Sequence, residues 1–240
     1  MECWYLLEER FGDESNRNHS TLRRKISADG VNWSDEEVLS CLYSNSDTIG
    51  LGKTVVSPAV LVDTCYYKLW FVDNKLIQDE KTIAFSQSID GKEWPRKVRC
   101  TFSGRDINPW HIDVQQFDSI YYMTIYEYGG DLSLWESDNM IDFRYVQSLL
   151  VKSECIGSFY NGLYKASLVK EEDKYRLYFS ADDYENTYIG LMEGDDLNNM
   201  HIVSTSDGKF SSFVDFILKF YRHKRVKYTF IVNNFIRNIS

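Results

Sequence analysis

The run Trp110-His111-Ile112-Asp113 holds the densest chemistry in the chain. On an extended strand alternate side chains share a face, so His111 and Asp113 stand side by side. An imidazole and a carboxylate so placed can donate to and accept from the hydroxyls of a polyol, while the neighbouring Trp110 indole offers a flat face for a pyranose ring. The same pair also reads as a buried polar couple bonded to nearby backbone, because interior polar groups must be satisfied in either case. No P-loop, dinucleotide fingerprint, serine elbow or HExxH helix accompanies it.

The elements that position these residues show themselves by repetition, at a period of roughly 50–60 residues that suits one four-stranded blade. Three phrases recur in order. An apolar strand ending in a turn runs from Val55 to Asp63, from Trp110 to Asp118 and from Gly162 to Val169. A tyrosine-rich strand follows, from Tyr66 to Phe71, from Tyr121 to Tyr126 and from Lys174 to Phe179. The third phrase enters an acidic turn, from Ile83 to Trp94, from Leu132 to Phe143 and, more weakly, from Ile189 to Asp195. An earlier unit has only the second and third phrases, as Trp4-Tyr5-Leu6-Leu7 and Ile26 to Trp33. In the Ser-x-Asp-Gly-x-x-Trp turns at Ser27 and Ser88, Asp and Gly make the reversal, side-chain oxygens bond local N–H groups, and Trp tucks back between sheets.

This pattern predicts an all-β fold: a β-propeller over residues 1–208 with three complete blades and a first blade lacking its innermost strand. A tail over 209–240 differs. Phe210, Phe213, Phe216, Ile217 and Phe220 fall at helical spacing, and Lys227 to Val232 reads as a strand that would pair with the incomplete blade and close the ring.

Composition agrees. Aromatic residues make up 15% of 240 residues against three prolines, a balance that suits strands. A net charge of -9 argues against a nucleic-acid partner, whose phosphates need a basic footprint; the one basic cluster, Arg222 to Arg225 with Lys227, is short. Glu8-Glu9 and Asp35-Glu36-Glu37 read as solvated turns or strand ends. Five scattered cysteines without a CxxC pair signal neither a disulfide framework nor a zinc site, and several lie in apolar runs as small buried hydrophobes. With no signal-peptide pattern and no apolar stretch of membrane length, the expectation is a cytoplasmic protein, or one released without a classical signal, with no membrane partner. Nothing announces a cofactor or metal; oxygen ligands in a central channel would suit a structural Ca²⁺, but no ligand spacing marks one.

Ser57-Pro58-Ala59-Val60 ahead of Tyr67-Lys68-Leu69-Trp70, and Trp110-His111-Ile112-Asp113-Val114 ahead of Tyr121-Tyr122-Met123, resemble the five-bladed propellers of glycoside hydrolase families 43, 32 and 68. The turns at Ser27 and Ser88 are similar to blade ends common there, a logic that sialidase propellers share. The resemblance covers about residues 1–208 and marks a divergent, shortened member of the type. It implies three carboxylates at the inner ends of successive blades, among them a general acid and a base or nucleophile flanking the scissile bond. On it Asp113 takes a catalytic place, orienting the acid or accepting a sugar hydroxyl. The matching place in the next blade holds Gly162-Leu163-Tyr164-Lys165 instead of a Glu, so Tyr164 and Lys165 enter as substrate contacts beside Trp110 and His111. Glu154 serves as the acid only if that strand starts early. The first complete blade offers Ser57, a substrate contact, with no carboxylate. The carboxylate set is thus incomplete. Two functions stand: a carbohydrate-active propeller that binds and hydrolyses a poly- or oligosaccharide, or a non-catalytic sugar-binding or assembly module, such as part of a phage or surface appendage.

Overall fold

A computed structural model describes residues 1–9, 19–38, 55–75, 80–94, 97–128, 130–151, 162–182 and 187–203. Glu154 and the tail from 209, with its expected helix and strand, lie outside these residues. The described chain is all strand and turn. It includes no helix long and apolar enough to cross a membrane.

The first blade is β1 (Glu2–Glu9), β2 (His19–Ile26) and the short β3 (Glu37–Val38), three strands as the phrase count predicts. The second is a meander of β4 (Val55–Val62), β5 (Tyr67–Lys75), β6 (Glu80–Ser88) and β7 (Lys97–Arg99). The third comprises β9 (Pro109–Phe117), β10 (Ile120–Glu127), β11 (Leu132–Ser137) and β12 (Asp142–Leu150), with β8 (Thr101–Ser103) joining β12 in parallel at the outer edge. The fourth is β13 (Gly162–Glu171), β14 (Lys174–Asp182), β15 (Thr187–Gly194) and β16 (His201–Ile202). The five blades that the resemblance implies become four among the described residues.

Apolar side chains on both faces of blades two and three, and on one face of blades one and four, make the core a series of wedges between blades, as radial packing requires. Leu22, Leu69, Phe71 and Trp94 fill the first wedge, between blades one and two. Trp70, Val72, Ile112, Val114, Met123 and Trp135 fill the second. Leu132, Leu134, Leu168, Leu177 and Phe179 fill the third. The chain crosses from blade two to blade three within two residues: the Cys100 N–H donates to Ile83 O and the Thr101 N–H to Ile141 O. A Trp70 Nε1–H bond to Met140 O (2.9 Å) staples the same junction.

The acidic turns fold as their residues dictate. Asp29 Oδ1 accepts the Val31 and Asn32 N–H groups at 2.8 Å, and Ser27 Oγ accepts that of Gly30. These donors hold the Asp29 carboxyl well below the usual carboxylate range. Asp90 accepts the Lys92 and Glu93 N–H groups in the same way. In blade three Asn139 replaces the Asp, bonding the Ile141 and Asp142 N–H groups, and Met140 takes the glycine's left-handed place at φ 74°. The returning aromatics Trp94 and Phe143 are fully buried, whereas Trp33 is half-buried.

Two expectations need correction. Glu36 and Glu37 are not simply solvated: Glu36 pairs with Arg23 and Tyr5, and Glu37 with Lys92 and the buried Arg24, whose guanidinium lies over Trp4 and Tyr67. Of the described cysteines only Cys100 is a buried hydrophobe, its thiol pushed up to about 12 by burial; Cys3 and Cys65 are exposed.

Candidate functional site between the third and fourth blades

The leading strands of blades two, three and four lie side by side, with β9 packed between β4 and β13. Each breaks its ladder near its start. In β4 pairing steps from Val56 to Ala59, leaving Ser57 and Pro58 outside the ladder. In β9 it steps from Pro109 to His111 across Trp110. In β13 it steps from Leu163 to Ala166, leaving Tyr164 and Lys165. A bulge re-aims side chains and kinks its strand. Every described residue expected at the site falls on or within three residues of such an irregularity.

Beyond the bulge β9 alternates regularly. Ile112 and Val114 face blade two, and His111 and Asp113 face β13. Asp113 is half-buried, and its Oδ2 accepts the Leu168 N–H at 3.0 Å and Gln115 Nε2 at 3.4 Å. Burial pushes its carboxyl above the usual range, while the Leu168 N–H and the Lys165 charge act against that rise. His111 is 7% exposed, and neither Nδ1 nor Nε2 has a hydrogen-bond partner. Its ring meets Tyr164 edge-on at 4.3 Å and lies near-parallel to Tyr126 at 6.2 Å. Burial, followed by the charges of Lys165 and Lys81, brings its pKa down to about 4, so the imidazole is neutral near pH 7.

Tyr164 and Lys165 stand exposed on the β13 bulge. Ser180 Oγ holds the bulge by accepting the Lys165 N–H (3.0 Å) and donating to Lys165 O (3.4 Å). Crowding by the strands lowers the Lys165 pKa, against the pull of Asp113. The structure thus brings His111, Asp113, Tyr164 and Lys165 together at one junction.

The other two expected contacts are already engaged by the protein itself. Trp110, at the β9 bulge, stays edge-on to His111 at 5.8 Å, packs against Tyr128 at 5.3 Å, and has its ring covered by the Lys81 ammonium at 4.1 Å. That indole face is already occupied. Ser57 is buried at φ 52°, its Oγ accepting the Ile112 N–H (3.0 Å) and donating to Ile112 O (3.2 Å). Its hydroxyl stitches blade two to blade three. Lys81, Tyr126 and Tyr128 are participants that sequence reasoning missed. The ladder sets Tyr126 opposite His111 and could have been traced from the hairpin, but Lys81 arrives from another blade and leaves no local signal.

No protein-family model and no curated protein matches the sequence. Solved structures do match the fold. The N-acetylgalactosamine deacetylase from F. plautii, in complex with blood group B trisaccharide, aligns at a TM-score of 0.63 and 19% identity, over 80% of this chain and 68% of its own. A glycosyl hydrolase from Bacteroides ovatus aligns at 0.62 and 14% identity, over 84% of this chain and 65% of its own. The Bombyx mori family 32 β-fructofuranosidase aligns at 0.55 and 14% identity, over 86% of this chain and 46% of its own. The chain spans less than half of that fructofuranosidase and about two thirds of the other two. At such identities the likeness is one of fold: a β-propeller.

Proposed function

We propose that this chain is a carbohydrate-binding propeller whose ligand docks between blades three and four, on His111, Asp113, Tyr164 and Lys165. The observation that carries the reading is the buried His111 imidazole with both nitrogens unpartnered. An unmet buried polar group costs about 1–3 kcal/mol, a penalty that a ligand removes. A neutral imidazole offers one donor and one lone pair, the complement of a hydroxyl that both accepts and donates. Tyr164, half-exposed on its bulge, caps that imidazole and offers a ring face for stacking once it turns aside. The propeller fold shared with sugar-processing enzymes supports this reading only by analogy.

Hydrolysis is the second reading, favoured by the raised pKa of Asp113. Glycoside hydrolysis takes two carboxyls flanking the bond. The Asp113 Oδ2 is committed to Leu168 N–H, and the second carboxyl would come from Glu154. The discriminating experiment is a glycan-array screen run beside a reducing-sugar release assay, on the wild type, Asp113→Asn and His111→Phe. Binding without release, weakened by both variants, is the expected outcome. Release that Asp113→Asn abolishes would make the chain a hydrolase. Neither binding nor release would leave a structural module.

A further inference from the structure

Resting on the carbohydrate reading, we infer that the ligand is an acidic glycan, its uronate carboxylate or sulfate ester held by Lys165 and assisted by Lys81. The chain carries a net charge of -9, yet this junction runs the other way. Four lysines elsewhere are neutralised, Lys68 by Asp63 at 2.6 Å, Lys97 by Asp73 at 2.7 Å, Lys92 by Glu37 at 3.0 Å and Lys174 by Glu193 at 2.6 Å, while Lys25 and Lys170 stand apart from this junction. Among the described residues no ion pair involves Lys81 or Lys165. The Lys81 ammonium rests on the rings of Trp110 and Tyr128, at 4.1 and 4.4 Å. Lys165 stands next to Tyr164 on the bulge, and its charge is felt at His111.

Among the described residues Asp113 is the one carboxylate whose charge is felt at Lys165, and its Oδ2 already serves the Leu168 N–H. Among the described residues, two ammoniums against one carboxylate leave a positive surplus around an imidazole that is itself uncharged. Both lysines are partly dehydrated, which depresses their pKa values. A neutral sugar does nothing to offset that cost, whereas an anionic group does. The division of labour follows. Tyr164 supplies the stacking face, His111 a hydroxyl partner and Lys165 the anion contact.

The test is calorimetric binding of the full chain to three probes: an oligogalacturonate, a sulfated galacto-oligosaccharide and the corresponding neutral galacto-oligosaccharide. An acidic probe should bind at least about tenfold more tightly than the neutral one, and added salt should erode that gap. Lys165→Gln should abolish the preference and Lys165→Arg restore it. Lys170→Gln, a change on the same strand where the ammonium lies over Tyr175, should leave it intact. Preference for the uronate or for the sulfate names the anionic group. A neutral probe that binds as tightly as both acidic ones overturns this inference and leaves the carbohydrate reading standing. Binding of none of the three overturns both.

Discussion

His111 stores the tension of the molecule in one side chain, and acid should expose it. Above about pH 6.5 the imidazole is neutral in the folded and the unfolded chain alike. Between there and about pH 4 the unfolded chain binds a proton that the folded site refuses, so stability falls as pH falls. Below about 4 both forms are protonated and the loss levels off. The full loss is about 3 kcal/mol on that interval. Urea unfolding near pH 7 and near pH 4 should show a gap of that order between the wild type and His111→Phe. Near pH 7 the variant should be the more stable by about 1 kcal/mol, since it buries no unmet donor or acceptor. An unchanged acid limb in His111→Phe would show that the imidazole is not held neutral by burial.

At the scale of elements, side-chain-to-backbone stitches join one leading strand to the next. Ser57 Oγ serves Ile112 across the second wedge, and Asp113 Oδ2 serves Leu168 across the third. Ser57→Ala strands the Ile112 N–H in the interior and should cost about 1–3 kcal/mol in chemical denaturation. Asp113→Asn keeps an acceptor for Leu168 and should cost less than Asp113→Ala. The turns give a second, graded expectation. Gly91 sits at φ 70°, and a Cβ there would lie 2.8 Å from Arg24 Nη1 and 3.0 Å from Trp4 and Tyr67. Gly30 has a similar φ of 74° but meets only the flexible end of Met1, at 3.2 Å. Gly91→Ala should therefore cost about 2 kcal/mol or more, and Gly30→Ala about 1 kcal/mol. Equal losses would mean that the turn conformation alone, and not the packing beneath it, sets the penalty. The turns were legible in sequence because Ser, Asp and Gly bond their own neighbours. Ser57 was not. Its partner lies on another blade, and nothing local separates a stitching hydroxyl from a ligand-binding one. The parallel pairing of β8 was equally hidden, because a three-residue Thr-Phe-Ser strand carries no period.

Across the whole molecule, the repeat gave the blades, the first with three strands among the described residues, because stacked blades must bury apolar residues against their neighbours and turn back at an acidic corner. It could not give the blade count, since four described sheets replace the five that the resemblance implies. The site divides along the same line. Period-two alternation placed His111 and Asp113 on one face, as found. The covering of Trp110 by Lys81 and Tyr128 was not legible, because those partners reach the bulged residue from a different blade and from beyond the hairpin. The charge pattern belongs to this scale too, since a positive junction in a chain of net charge -9 emerges only when blades two, three and four come together. The most direct test of the account is a crystal structure of the chain soaked with the tightest-binding oligosaccharide from the array. The account predicts sugar density between blades three and four, with a hydroxyl bonded to His111 and a ring against Tyr164. Sugar bound elsewhere on the propeller, with His111 still unpartnered, would contradict it.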